Sequence, residues 1–299
     1  MVATPRDPPA VARQRVRRAL RTARDETPAK LSQGDVAGML GWSLSKVQRI
    51  EGGEVGVSST DLLALLGIYG VTDPDRVERL AEDARISRRQ RYLTAPEHRE
   101  HLTPSLRELM QFEKEAASIR AYQPVTFPGV VQTPAVAEAV IGRWTADPEA
   151  RRVRFEARMS RRKNIIERAD GPEYFLVLDE GVIKRRFGGL KATAEQLEDI
   201  ADLARQDRLH IRIVPFARGT DMVAMGSFQI VSLAHDDSSV CYTEFHKTDE
   251  ILHDPVEVRT YREAFETLWD MALSEAATLR AIVAEAAILR ASQDHEPGD

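Results

Sequence analysis

The sequence holds one cysteine, Cys241, so no internal disulfide can form, and a reducing cytoplasm is the expected location. It contains no apolar run approaching the roughly 18 residues of a membrane span, and no membrane association is expected. Met1 to Pro9 is polar and Pro-rich and lacks an apolar core, so it reads as a disordered start and not as a secretory signal. No internal repeat is visible. Signatures of nucleotide and acyl-transfer chemistry are missing too. Gly188-Gly189 has no following Lys-Ser/Thr, and neither Gly52-Gly53 nor Gly181-Val182 belongs to a G-x-G-x-x-G turn. No Ser/His/Asp elbow is present. The expectation is a protein that is not an enzyme and takes no cofactor.

What is there is uneven in charge. Residues 1–50 carry ten Lys and Arg against four acids, a net of +6, whereas the whole chain is at -5. A basic head on an acidic body suits nucleic-acid contact at one end, because phosphate contacts supply most of the non-specific affinity. With 299 residues the chain is long enough for two domains.

The basic head contains the most informative stretch, Leu31 to Glu51. Val36, Ala37 and Leu40 form one face of a short helix, and Trp42, Val47 and Ile50 form the inward face of another. Gly41 stands where the first helix must stop, a position favouring a left-handed backbone. Ala37 is small where the helices would cross, and Ser32 and Ser43 can cap the two N-termini. This is the pattern of a helix-turn-helix. If Leu44 or Trp42, Val47 and Ile50 face inward, then Ser43, Ser45, Lys46, Gln48 and Arg49 face out. Ser43, Ser45, Gln48 and Arg49 are the expected base readers, since Gln matches adenine and Arg matches guanine in the major groove. Gln33 and Lys46, with Arg13, Arg17 and Arg21 on the preceding helix over Val11–Glu26, are the expected phosphate contacts.

Ser58-Ser59-Thr60-Asp61 opens a helix bearing Leu62, Leu65, Leu66 and Tyr69, and Asp73-Pro74 opens another bearing Val77, Leu80 and Ala84. The expectation for residues 10–87 is a five-helix all-α DNA-binding domain. Residues 88–102, basic and then polar, read as a linker. Residues 103–291 read as a larger α+β domain with a small, mostly antiparallel sheet. Its expected helices begin at Thr103-Pro104 (to about Ile119), Thr133-Pro134, Asp147-Pro148 (to about Ala169), Thr193 and Asp254-Pro255, with a final helix before a frayed tail from Ser292. Ala121 to Gln132 reads as an irregular apolar stretch with two prolines. Strands are expected over 174–178, 210–214, 226–233 and 239–245, the last two joined by an Asp236-Asp237-Ser238 turn. The third helix has an outward face with Arg151, Arg152, Arg154, Arg158, Arg161, Arg162 and Lys163, open to DNA, an acidic partner or its own domain. Cys241 to Asp254 holds a thiol, two imidazoles and four carboxylates, but the spacing matches no zinc pattern, and a strand followed by a polar loop is the expectation.

Residues 31–51 resemble the helix-turn-helix of the XRE (lambda-repressor-like) family. Glu113, Tyr122-x-Pro124, Pro128-Gly129-Val130-Val131-Gln132-Thr133, Val214-Pro215-Phe216, Gly226-x-Phe228, Tyr242-x-Glu244, Asp254-Pro255 and Tyr261-x-x-x-Phe265 resemble the C-terminal domain of WhiJ-type regulators from actinobacteria. The resemblance covers about residues 10–290. It implies a transcriptional regulator on double-stranded DNA, often paired with a small neighbour-encoded protein in an antitoxin-like arrangement. It brings no established catalytic residues. Leu44 stands where such relatives often have Pro, and a helix N-terminus accepts either. The expected function is a dimeric, sequence-specific regulator. The alternatives are an interaction module neutralising a small partner, or a small-molecule sensor walled by residues 122–131.

Overall fold

A computed structural model of the protein describes residues 9–52, 55–89, 96–218, 221–233, 239–245 and 248–293. The chain divides into two units, Met1–Ala95 and Pro96–Asp299.

The first unit is five helices: α1 (Pro9–Asp25), α2 (Gln33–Leu40), α3 (Leu44–Gly52), α4 (Ser59–Ile68) and α5 (Pro74–Arg89). Val16, Leu20 and Ala23 of α1 bury against Val36, Val47, Ile50, Leu62, Leu65, Leu66 and Leu80, so each helix gives its apolar stripe to one core. Of the start expected to be disordered, residues 1–8 lie outside the described residues and Pro9 opens α1. Ser32 caps α2 through a reciprocal pair: its hydroxyl accepts from Asp35 N–H, and the Asp35 carboxylate accepts from Ser32 N–H at 2.9 Å. The Ser32 hydroxyl and amide together hold the Asp35 carboxyl below its ordinary value. Gly41 ends α2 at φ 64°, in the left-handed region. Nothing crowds the position, so a Gly41→Ala change carries only the backbone cost. A loss of about 1 kcal/mol is expected in urea unfolding, with DNA contacts unchanged.

The second unit contains α6 (Pro96–His101), α7 (Pro104–Lys114), β1 (Ala116–Gln123), α8 (Pro134–Trp144), α9 (Pro148–Arg162), β2 (Glu173–Asp179), α10 (Glu180–Lys184), α11 (Gly189–Arg205), β3 (His210–Val214), β4 (Ser227–Leu233), β5 (Val240–Glu244), β6 (Asp249–Leu252), α12 (Pro255–Met271) and α13 (Glu275–Gln293). The six strands form one mixed sheet in the order β3-β2-β1-β4-β5-β6. The β1–β2 and β2–β3 pairs are parallel, and the other three are antiparallel. Side chains alternate between the two faces. Tyr122, Val177, Val214, Phe228, Ile230 and Cys241 pack with Val258, Phe265 and Leu268 of α12. The opposite face carries Ile119, Tyr174, Leu176, Gln229 and Tyr242, and there Gln229 meets Glu113 of α7.

Both edges of this sheet are engaged. On β3, Ile213 N–H donates to the Thr278 hydroxyl at 3.1 Å and Ile213 C=O accepts from Leu273 N–H at 2.8 Å. On β6, Asp249 C=O accepts from the Ser105 hydroxyl at 3.1 Å, while the Thr103 hydroxyl bonds the Asp249 carboxylate.

Several boundaries differ from the sequence expectation. The helix expected to reach Ile119 stops at Lys114, and β1 begins two residues later. In its second half Ile119 and Ala121 to Gln123 are buried and Arg120 is half-buried, as befits a strand inside the sheet. β6 occupies part of the expected polar loop. The helix expected through Ala169 is regular only to Arg162 and closes in a π-helical turn over Lys163–Glu167. Within the expected linker 88–102, α5 continues to Arg89, residues 90–95 lie outside the described residues, and 96–101 form α6. The expected Asp236-Asp237-Ser238 turn also lies outside the described residues, as do residues 294–299 of the tail expected to fray from Ser292.

Candidate nucleic-acid interface

α3 is amphipathic over barely two turns. Val47 and Ile50 are buried at its inner side, while Ser45, Gln48 and Arg49 are exposed, as is Ser43 just before it. Of the two residues that could complete the inner face, Trp42 packs on the core and Leu44 is 47% exposed. The turn is tight because Gly41 takes a left-handed backbone, which lets Trp42 N–H reach back to Ala37 C=O at 2.9 Å. Ser43 caps α3, its hydroxyl accepting from Lys46 N–H at 3.3 Å.

The orientation of α3 is set from its C-terminal end by Glu51, whose side chain is wholly buried. Both its carboxylate oxygens lie 3.0 Å from Arg24 Nε of α1, and Gln33 Nε2 of α2 donates to one of them at 2.8 Å. The Tyr69 hydroxyl, at the end of α4, donates at 2.7 Å. Arg17 Nε donates to the Glu51 carbonyl at 3.1 Å. Four helices thus converge on one carboxylate, which a buried charge needs in order to be tolerated at all. Burial, and then Glu51, push the Tyr69 phenol well above its ordinary value, so it stays a donor at every physiological pH.

The expected phosphate contacts are drawn into this arrangement to differing degrees. Gln33 and Arg17 are tied to Glu51. Lys46 lies 3.0 Å from Asp61 and its ammonium sits 3.6 Å from the Trp42 ring centroid, a cation–π contact. Arg13 and Arg21 are half-buried on α1 and have partners of their own. Of the four expected base readers, Ser43 and Ser45 lie at the N-terminal end of α3, and Gln48 and Arg49 are exposed further along it, Arg49 in its last turn. Sequence reasoning missed Glu51 as an organising group. Its signal was its place directly after Ile50, one step beyond the apolar stripe.

The arginine-dense face of α9, left open by the sequence, turns mainly to its own unit. Arg161 forms two parallel bonds with Glu113, at 2.8 and 2.6 Å. Arg162 pairs with Asp199 and Glu167, and Arg152 with Glu149 and Glu156. Arg151 and Arg154 bond Thr145 and neighbouring carbonyls. Arg158 is the exception, its bond among the described residues going to the Gln132 amide oxygen. Cys241 is buried, and burial raises its thiol far above the reactive range. Of the other Cys241–Asp254 candidates, His246 lies outside the described residues, and no metal-binding group of three or more His, Cys, Asp or Glu occurs among the described residues. No helix among the described residues is long and apolar enough to cross a membrane.

Two family models match the sequence. Residues 106–284 match one described as a domain of unknown function (DUF5753), and residues 15–80 match a helix-turn-helix domain. No curated protein and no solved structure matches the chain.

Proposed function

The chain belongs to the DUF5753 family and carries a helix-turn-helix domain ahead of that domain; from this we propose a sequence-specific transcriptional regulator of the XRE type that binds double-stranded DNA as a homodimer. The observation that carries the reading is the exposed set Ser43, Ser45, Gln48 and Arg49 on a helix whose opposite side, Val47 and Ile50, is fixed in the core. Such a helix enters the major groove by its N-terminal part. Residues 10–87 are assigned to DNA, with Gln33, Lys46, Arg13, Arg17 and Arg21 on the phosphates. Residues 103–291 are assigned to dimerisation, which supplies the second half-site a single short helix lacks.

Enrichment of a defined sequence from a random duplex pool tests this directly. No enrichment above bulk DNA would refute it. With a selected site in hand, Arg49→Ala is expected to lower affinity for that site by about 1–3 kcal/mol and to relax preference at one position. Arg17→Ala is expected to weaken all duplexes similarly and to reduce the salt slope by about one unit, read from binding isotherms at several salt concentrations. The WhiJ-type resemblance supports a second role for residues 103–291, in holding a small neighbour-encoded protein. Co-expression with the adjacent reading frames followed by co-purification decides it.

A further inference from the structure

Leu44 is the exposed apolar residue of α3. Val47 and Ile50 lie in the core of the first unit, and Leu40 and Trp42 pack against it, but Leu44 does not join that cluster. It is 47% exposed, and Trp42 takes the inner position in its place. Leu44 is also the first residue of α3, directly after the Ser43 cap.

The surroundings leave its isobutyl group bare. Ser43 and Ser45 on either side are exposed, and the Ser43 hydroxyl accepts from Lys46 N–H. Lys46 is the charged side chain of this turn, and it is drawn away, its ammonium held by Asp61 of α4 and the Trp42 ring. No acidic residue stands in the first turn. Gln48 lies four residues on, so it shares a side of the helix with Leu44, and it too is exposed.

A lone exposed leucine on an ordinary surface needs no special account. At the leading end of a helix that enters the major groove it meets base edges. Those edges carry donors, acceptors and a single kind of apolar group, the C5-methyl of thymine. Leucine can make no hydrogen bond there, so it gains only by removing apolar area from water. Against any other base it would strip water from a donor or acceptor and replace no bond, which is a cost. Attraction to the methyl and the penalty elsewhere both favour thymine.

We propose that Leu44 is a fifth base reader, which selects thymine in each half-site by apolar contact with the C5-methyl group. This rests on the DNA-binding reading above and adds to it a contact of a different chemistry from those of Ser43, Ser45, Gln48 and Arg49.

The test uses the full chain and the duplex enriched from the random pool. Each thymine of one half-site is replaced in turn by deoxyuridine, which keeps every hydrogen-bonding group and lacks only the methyl. At one position the wild type is expected to bind the uracil duplex about fourfold more weakly, the equivalent of ~0.8 kcal/mol for one buried methyl-sized group. Leu44→Ala is expected to bring the thymine-to-uracil affinity ratio at that position close to one. Leu44→Met, apolar and of similar volume, is expected to keep it. The ratio does not depend on the folded fraction of a variant, since both duplexes meet the same sample. The proposal is overturned if the enriched half-sites contain no thymine, if the wild type distinguishes no thymine from uracil, or if Leu44→Ala keeps the full ratio. Each of these leaves the DNA-binding reading standing, whereas failure to enrich any site refutes that reading and this contact with it.

Discussion

Glu51→Ala is expected to destabilise the N-terminal unit by about 3–5 kcal/mol, the cost of removing the wholly buried carboxylate on which its donors converge. The change strands three donors at once: Arg24 Nε, Gln33 Nε2 and the Tyr69 hydroxyl. A domain with a total stability of about 5–15 kcal/mol keeps little after such a loss. Amide hydrogen exchange in the full chain reads the effect: protection of α1 to α5 falls by the corresponding factor while that of the second unit stays. Glu51→Gln separates charge from shape. It keeps an oxygen for only one of Tyr69 and Gln33, which bond different oxygens of Glu51, and leaves Arg24 with Asp25 alone as counter-charge, so it should fall between wild type and alanine. Because α3 is oriented through this carboxylate, DNA affinity should decline with stability in both variants. A loss below about 1 kcal/mol for Glu51→Ala would mean that apolar packing alone sets the helix angle.

The second large effect is expected at Glu113. It is 1% exposed, accepts two bonds from Arg161 and a third from Gln229 Nε2 at 2.8 Å. Glu113→Ala removes the counter-charge from Arg161 beneath α9, and about 3–5 kcal/mol is again expected, read as the unfolding midpoint of the second unit in urea. The paired replacement makes the argument sharper. Glu113→Leu with Arg161→Met removes both charges and keeps apolar volume, so the double variant should be more stable than Glu113→Ala. If the double variant is the weaker of the two, the pair's worth lies in its geometry and not in mutual neutralisation.

The sequence disclosed most of the first unit because its signals are local. Capping at Ser32 and Ser58, the left-handed stop at Gly41 and the apolar spacing of Val47 and Ile50 are each set within a few residues. The exposed cluster Ser43, Ser45, Gln48 and Arg49 follows from the same spacing. Glu51 was not legible, since its partners come from positions 24, 33 and 69 and only the fold brings them together. The second unit was harder for the same reason. β1 sits in the middle of the sheet, where Ala121 to Gln123 are buried in succession, and Ala116-Ala117 continues the composition of the helix before it. Even so, the helix starts at Pro104, Pro134, Pro148 and Pro255 were fixed to the residue, because proline lacks the N–H that a first helical turn leaves unused. The seven basic residues from Arg151 to Lys163 show the limit most plainly. Their density was visible, but whether they faced outward partners or inward carboxylates depended on Glu113 and Asp199, far away in sequence.

The engaged sheet edges bear on how two copies can meet. An open outer strand is a template for another chain's backbone, and proteins that leave one bare risk endless stacking. Here the outer strand β3 already gives Ile213 N–H and C=O to the α12–α13 corner, and β6 is four residues long with its Asp249 carbonyl taken by Ser105. Continuing the sheet from one molecule into the next is thereby blocked at these positions. A second copy could extend the sheet at these positions only by displacing bonds the chain already makes to itself.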